Sequence, residues 1–170
     1  MRYFISLIFI TFFTLSIFAQ EKATTEITTY YFIRHAEKDR SNPTERNPHL
    51  MDKGLERAEK WSVVLGNLKF DAVYSTDYHR TKETAQPTAT KNNLDIIIYD
   101  PRVIDDTEAF LMETKGKTVL VVGHSNTTPA FVNAILGEKK HENIDDDNNG
   151  NLYIVTIIDR KVTDTVLTIN

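Results

Sequence analysis

The chain has 170 residues, of which 41% are apolar and 26% charged, with 20 Lys and Arg against 24 Asp and Glu. This length suits one domain with a single sizeable core, and the composition excludes a collagen, a coiled coil and a disordered chain. Because the chain has no Cys, a disulfide scaffold, thiol catalysis, an iron–sulfur cluster and Cys-ligated zinc are excluded as well. The formal net charge of −4 gives no overall attraction to nucleic acid, so we expect no nucleic-acid partner.

Residues 1–19 differ in composition from the rest of the chain. Arg2 precedes an uncharged, mostly apolar run over residues 4–18, and polar sequence begins again after Ala19. A basic start, an apolar stretch and a small boundary residue are typical of a secretory signal peptide. The run is short for the roughly 30 Å of a bilayer core, so we favour a cleaved signal peptide over an uncleaved anchor. Residues 20–170 are then expected to form one periplasmic or secreted domain, with no membrane contact beyond the signal peptide.

The predicted elements alternate between strands and helices until the last two, which are both strands. Compact runs rich in aromatic and β-branched residues predict strands, whereas apolar residues three and four apart predict helices. In chain order the sequence predicts a strand at 30–33, a loop at 38–49, a helix at 52–65, a strand at 70–74, a helix at 77–85, a strand at 95–99, a helix at 106–114, a strand at 118–122, a helix at 128–136, and strands at 152–158 and 162–169.

Capping and breaking residues indicate where these helices begin and end. Asp52 is expected to cap the first helix, and Pro87 to end or kink the second. Pro129 suits the first turn of the last helix, and Gly137 its end. The almost continuous apolar run at 118–122 favours the centre of a parallel sheet. The order of elements predicts the α/β class, with layers packed around a mostly parallel sheet.

Polar residues follow the predicted strands where ligands bind in an open α/β sheet, beyond the carboxyl ends of the strands. Arg34 and His35 follow the first strand, Arg80 lies shortly after the second, and His124 follows the central strand. Guanidinium groups bind phosphate oxygens at two points, and the helix starting near Thr128 adds backbone N–H groups. The sequence therefore predicts a site for a dianion at this edge of the sheet.

Three motifs carry a resemblance to a known family. The segments RHAEK, STDYHRTKETA and VVGHSNTTP, each after a strand, resemble the histidine phosphatase superfamily, which has the phosphoglycerate-mutase-like fold. The family pattern is Arg-His-Gly, then Ser-x-x-x-Arg-x-x-x-Thr-Ala, then a late Gly-His. The matching residues are Arg34, His35, Arg80, Thr84, Ala85 and His124, and Ala36 replaces the usual Gly.

The resemblance implies a three-layer α/β/α sandwich and hydrolysis or transfer of a phosphoryl group through a phosphohistidine. It makes His35 the nucleophile and assigns the phosphate oxygens to Arg34, Arg80 and His124. The cationic side chains would stabilise the charge of the transition state, so that no metal and no cofactor are implied.

The resemblance also implies a proton donor for the leaving oxygen. Many members carry a carboxylate just after the third strand. Asp105 aligns best with it, and Glu108 and Asp106 lie close enough to serve instead.

Three further residues are candidates for substrate binding. Ser41 and Asn42 lie six and seven residues after His35, at a pocket position of larger relatives, and Ser125 follows the late histidine.

The sequence favours neither a calcium site nor a zinc site. The acidic run at 145–150 matches part of an EF-hand loop, but Thr156 stands where the loop requires Glu, so a polar turn is favoured. No His-x-x-x-His spacing supports zinc, and an Arg would repel the ion near the candidate ligands.

The function predicted from the sequence is an exported, metal-independent phosphomonoester hydrolase that acts on a phosphorylated small molecule, glycan or protein. The alternatives are a phosphoglycerate-mutase-type phosphotransferase and a non-catalytic phosphate-binding module. A monomer or weak dimer is expected.

Overall fold

The computed structural model describes residues 26–169, which form one mixed α/β domain. The strands are β1 (Ile27–Arg34), β2 (Ala72–Ser75), β3 (Ile96–Ile98), β4 (Thr118–Gly123), β5 (Asn151–Ile158) and β6 (Lys161–Thr168). The helices are α1 (Asp52–Val64), α2 (His79–Lys91), α3 (Thr107–Glu113) and α4 (Thr127–Leu136), and a 3-10 helix at Pro101–Asp106 precedes α3.

All six strands join one sheet in the order β3-β2-β4-β1-β5-β6. The first four strands in this order run parallel, and β5 and β6 add an antiparallel hairpin at one edge. The long apolar strand β4 lies between β2 and β1, as its sequence predicts. Arg34 at the end of β1 is level with Gly123 at the end of β4, so the residues that follow the two strands emerge side by side.

The sheet separates two apolar cores, because successive residues of β4 point to opposite faces. Val119 and Val121 pack in a core that includes Phe110 of α3 and Phe131 of α4. On the other face, Leu120 and Val122 pack in a core with Trp61 of α1 and with Ala85 and Ala89 of α2. Helices therefore cover both faces, which confirms the three-layer α/β/α fold.

The predicted end of α2 at Pro87 is wrong. The helix continues through the proline to Lys91, although proline removes one helical hydrogen bond. Ala85 and Ala89, on either side of Pro87, are both fully buried in the core. Packing on both sides of the proline therefore holds the helix together.

The predicted cap of α1 is also wrong. Met51 occupies the capping position without a side-chain hydrogen bond, and Asp52 lies in the first turn, where a carboxylate is favourable to the helix dipole. The start of α1 is fixed instead by Met51, whose backbone N–H donates to the carbonyl oxygen of Glu37 at 3.0 Å.

The predicted signal peptide at residues 1–19 lies outside the described residues and stays a prediction. Within residues 26–169, none of the helices has the length and apolar character needed to cross a bilayer.

Candidate active site

The backbone of His35 is anchored between two strands and a loop. Its N–H donates to the carbonyl oxygen of Gly123 at 2.9 Å, which extends the pairing of β1 with β4 by one residue. Its own carbonyl oxygen accepts from Asn149 Nδ2 at 2.8 Å. These contacts fix the point from which the imidazole projects.

The ring of His35 presents one nitrogen to the site. Its Nδ1 lies 2.7 Å from the carbonyl oxygen of Ala36. Because a carbonyl oxygen only accepts, Nδ1 carries the proton and Nε2 keeps a lone pair. Burial, together with the positive charges of Arg80 and Arg34 and the nearby His124, lowers the pKa of His35 from 6.5 to about 3. The ring is therefore neutral near pH 7, which is the form that can act as a nucleophile.

His124 is the second imidazole of the site. Its ring centroid lies 5.5 Å from that of His35, with the two rings tilted by 68°. Its Nε2 is 3.0 Å from Thr76 Oγ1, and that hydroxyl donates in turn to Thr81 Oγ1 at 3.1 Å. Nε2 therefore donates to Thr76, and Nδ1 is left facing Arg80 Nη2 at 3.5 Å. Burial and the charge of Arg80 lower the pKa of His124 to about 4.

Arg80, in the first turn of α2, has donors without acceptors. Its guanidinium carbon lies 4.4 Å from the centre of the Tyr78 ring, which holds the group by a cation–π contact. Its Nε and Nη1 are buried and have no hydrogen-bond partner within residues 26–169. Buried donors left unpaired are costly, above all on a charged group. These unpaired donors of Arg80 are typical of a site that binds an anion.

Arg34 makes more hydrogen bonds within the protein than the sequence predicts. Its Nη1 donates to the carbonyl oxygens of Asp145, Asp146 and Asn148 at 2.7, 3.2 and 3.0 Å, and its Nη2 donates to Asp146 Oδ1 at 2.9 Å. Its Nε is buried without a partner among the described residues. The polar turn predicted before β5 is confirmed, and its carbonyl oxygens hold this guanidinium.

These groups line one cavity of about 360 Å³ at the carboxyl ends of β1 and β4. The lining residues are Arg34, His35, Lys38, Tyr78, Arg80, Pro101, His124, Ser125, Asn126, Thr127 and Asp146. The structure thus brings together the predicted Arg34, His35, Arg80, His124 and Ser125. With Lys38 and two arginines against the single carboxylate of Asp146, the lining is positively charged and suits an anionic ligand.

The structure does not bring the alternative proton donors to this cavity. Glu108 lines a different cavity together with Leu111 and Ile157, because its position on α3 turns it away from the site. Asp106 caps α3 through a hydrogen bond that its Oδ1 accepts from the Ala109 N–H at 3.4 Å. Asp105 lies in the 3-10 helix, but its side chain is outside what the structure describes.

Nor does the structure place Ser41 and Asn42 in the cavity. The backbone N–H of Ser41 donates to Asp39 Oδ1 at 2.8 Å on the exposed surface, and Asn42 lines a neighbouring cavity. A bridge between Lys38 and Leu50 joins the two ends of the loop that carries both residues, and neither residue lines the cavity of His35.

Several residues in or next to the site are not predicted from the sequence, among them Thr76, Tyr78 and Asn149. Thr76 could have been found, because it stands four residues before Arg80, where the family pattern has Ser. No local pattern marks Asn149, which is separated from His35 by 114 residues.

Comparison with known proteins gives both a sequence match and fold matches. The family model of the histidine phosphatase superfamily (branch 1) matches residues 30–102. That segment contains the Arg34-His35 pair and Arg80. A search of curated proteins finds no significant match.

Solved structures with this fold include enzymes with several activities. The alpha-ribazole phosphatase from Shigella flexneri superposes with a TM-score of 0.66 at 16% identity, over 83% of this chain and 96% of that chain. The protein histidine phosphatase SixA, complexed with tungstate, gives 0.66 at 16% identity, over 82% and 96%. Phosphoglycerate mutase from Bacillus anthracis gives 0.63 at 15% identity, over 85% and 93%.

Over residues 30–102 the chain is similar to the histidine phosphatase superfamily.

A side chain of the second motif connects helix α2 to the first motif. Thr84 Oγ1 accepts from the backbone N–H of Ala36 at 2.9 Å and donates to the carbonyl oxygen of Arg80 at 2.6 Å. The Thr84 hydroxyl therefore connects Ala36, the residue after His35, with the backbone of Arg80. Ala36, which stands where the family has Gly, is fully buried.

The lowered pKa values of the two pocket histidines predict that acid destabilises the fold. Unfolded imidazoles bind protons near pH 6.5, whereas folded His35 and His124 bind them only near pH 3 and 4. Between the folded and the unfolded pKa values the unfolded state binds more protons than the folded state. The free energy of unfolding is therefore highest above about pH 6.5 and decreases as the pH falls. At about 1.4 kcal/mol per pH unit, each histidine contributes roughly 2 kcal/mol of loss between pH 6.5 and 5.0.

The measurement is the free energy of unfolding in urea at both pH values for the wild type and for His35→Asn. We expect the variant to lose roughly 2 kcal/mol less than the wild type, because one shifted group is gone. Since both proteins share all other titrating groups, an equal loss in the two would show that His35 is not buried as a neutral ring.

Proposed function

We propose that the chain is a phosphomonoester hydrolase that works through a phosphohistidine on His35. The observation that carries the proposal is the pairing of a neutral His35, whose Nδ1 is occupied, with an Arg80 whose buried N–H groups have no acceptor. If a phosphate binds between them, the Nε2 lone pair of His35 can attack phosphorus. The guanidinium N–H groups of Arg80 can then donate hydrogen bonds to the phosphate oxygens.

In the first step, Nε2 of His35 attacks phosphorus, the P–N bond forms, and the bond to the leaving oxygen breaks. Arg80 and the free Nε edge of Arg34 stabilise the charge on the equatorial oxygens. In the second step, a water attacks phosphorus from the side that the alcohol has left. The P–N bond then breaks, and the products are inorganic phosphate and the original imidazole.

We further propose Asp105 as the group that protonates the leaving oxygen and then takes a proton from the water. It lies in the 3-10 helix that begins at Pro101, and Pro101 lines the cavity. An acid matters most for a poor leaving group. Asp105→Asn should therefore slow hydrolysis of an alkyl phosphate at least about 10-fold more than hydrolysis of p-nitrophenyl phosphate.

Glu108→Gln is the matched control and should affect both substrates little, since Glu108 lines a different cavity. Equal effects of Asp105→Asn on the two leaving groups would rule out Asp105 as the acid.

The proposed substrate is a phosphorylated small molecule, glycan or protein. The positively charged cavity suits the phosphate group that all three share, and it does not select among them. The relatives of this fold include a phosphatase of alpha-ribazole, a protein histidine phosphatase and a phosphoglycerate mutase. Fold alone does not choose among them, and the mutase matches over most of its own length. The products formed must therefore decide between hydrolysis and transfer.

The test uses purified protein with p-nitrophenyl phosphate and, separately, a phosphorylated three-carbon acid, between pH 4 and 8. We expect phosphate release and, after rapid quenching, a labelled enzyme whose phosphate is lost in acid and kept in base. Isomerisation of the acid without phosphate release would make the chain a transferase. Phosphate binding with no turnover of either compound would make it a binding module.

We also propose export of the chain, on the composition of residues 1–19 alone. The intact mass of the protein recovered from the extracytoplasmic fraction should begin at Gln20. A full-length protein found only inside the cell would contradict export without touching the proposed chemistry.

A further inference from the structure

A second cluster of ligand-type side chains lies beside the phosphate cavity, outside its lining. His49, His79 and Glu83 each offer one nitrogen or oxygen atom, and these atoms all lie within 4.8 Å of one another. We propose that these three side chains bind a divalent transition-metal ion of the Zn²⁺ class. The site is independent of the proposed hydrolase activity.

Two of the ligands come from one face of a helix. His79 and Glu83 are four residues apart on α2, so their side chains project to the same side of the helix. His49 comes from the loop before α1, where its ring stacks on that of His79 at 4.1 Å between centroids. Because one ligand comes from a distant segment, no compact His-x-x-x-His motif marks the site in the sequence.

Hydrogen bonds hold the loop and the helix together around the cluster. Asn47 Oδ1 accepts from the backbone N–H of His79 at 2.9 Å. The backbone N–H of Leu50 donates to Glu83 Oε2 at 2.7 Å, while Oε1 faces His49 Nδ1. One carboxylate oxygen is therefore fixed by the backbone and the other is directed at the imidazole, an arrangement that orients a metal ligand.

The donor set is that of a zinc ion rather than of magnesium or calcium. Zinc takes imidazole nitrogen and carboxylate oxygen at about 2.0–2.2 Å, so tetrahedral ligand atoms stand about 3.3–3.5 Å apart. The three ligand atoms lie within 4.8 Å of one another, and an entering ion would replace the hydrogen bond between His49 Nδ1 and Glu83 Oε1. Hard cations prefer oxygen ligands alone, which this cluster does not supply.

The surroundings favour a cation and leave it accessible. The cluster borders a cavity of about 310 Å³ whose lining includes the carboxylates of Asp39 and Glu45 and, among the described residues, no Lys or Arg. A water can complete the coordination. The His49 side chain is 65% exposed, so the ion enters from solvent.

A bound ion would join the loop ending at His49 to the first turn of α2, directly before Arg80. Ligand binding to the folded state alone raises the unfolding temperature by mass action. At zinc concentrations well above the dissociation constant, we expect the Tm to rise by about 5 °C.

The experiment titrates tag-free full chain with Zn²⁺ against a chromophoric chelator, and in parallel follows the visible absorption of bound Co²⁺. We expect one equivalent to bind, with Mg²⁺ failing to compete. His49→Ala and His79→Ala should each weaken zinc binding by about 100-fold or more. Loss of a residue that only hydrogen-bonds to a metal ligand would weaken zinc affinity less. Both variants, checked by circular dichroism without metal, should also lose the Tm rise.

The matched control is His141→Ala. His141 pairs with Asp164 at 2.8 Å elsewhere on the surface, so its loss should leave zinc affinity unchanged. The proposal is overturned if no stoichiometric ion binds. It is equally overturned if binding survives in the His49 and His79 variants but is lost in His35→Ala or His124→Ala, which would place the ion in the phosphate cavity.

Discussion

His35→Ala is expected to lower kcat toward p-nitrophenyl phosphate by about 10⁴-fold or more, because the proposed nucleophile is removed. The substitution should leave phosphate binding largely intact, since the unpartnered donors of Arg80 remain in the cavity. The labelled phosphoenzyme should disappear together with the activity. Initial rates, quench labelling and phosphate affinity by calorimetry measure the three effects separately.

The control for this variant is His141→Ala, because His141 is also a histidine but does not line the cavity. Its kcat should equal that of the wild type. A His35→Ala protein that folds and still turns over at the wild-type rate would refute the assignment of the nucleophile. A phosphoenzyme that persists in this variant would show that another residue accepts the phosphoryl group.

Arg80→Ala is expected to lower kcat/KM by about 10²–10³-fold, which corresponds to about 2.7–4 kcal/mol of lost transition-state stabilisation. Arg80→Lys should restore only part of the rate, since an ammonium group cannot reproduce the planar fork of donors. Steady-state kinetics on the same aryl phosphate give both numbers. Arg40→Lys is the control, because Arg40 pairs with Asp146 at the exposed rim and does not line the cavity.

Stability measured on the same Arg80→Ala protein separates a functional arginine from a structural one. Two buried nitrogens of Arg80 have no partner in the described part of the chain, so its removal relieves unpaired donors. The urea midpoint should therefore stay unchanged or rise while activity falls. A large loss of stability with little change in kcat/KM would show that Arg80 holds the fold together instead.

The core elements of the site could be predicted because each follows a strand directly. His35 and His124 come immediately after apolar runs, and those runs become the adjacent strands β1 and β4. Arg80 could be predicted from its spacing to Thr84, whose hydroxyl accepts from the Ala36 N–H. Such local patterns predict spatial proximity, because the carboxyl ends of neighbouring parallel strands lie at the same edge of the sheet.

Other parts of the site could not be predicted, since they depend on distant contacts or on the face of a helix. Glu108 lies only three residues from Asp105, yet α3 turns it to another cavity. The sequence predicts that Pro87 ends or kinks α2, but the helix continues to Lys91 because burial of the residues around the proline outweighs one missing hydrogen bond. The role of Arg34 depends on a turn more than 110 residues away, which no spacing rule reveals.

The hydrogen bonds between Arg34 and the turn at 145–148 have a consequence for the order in which the nascent chain folds. During synthesis, β1 and His35 leave the ribosome long before the turn that binds the neighbouring Arg34 guanidinium. The strand that carries this turn into place, β5, pairs directly with β1. Docking of that late strand across a large sequence separation is a slow, non-local event. A nascent chain therefore holds Arg34 without these hydrogen bonds until the turn at 145–148 and β5 have been translated.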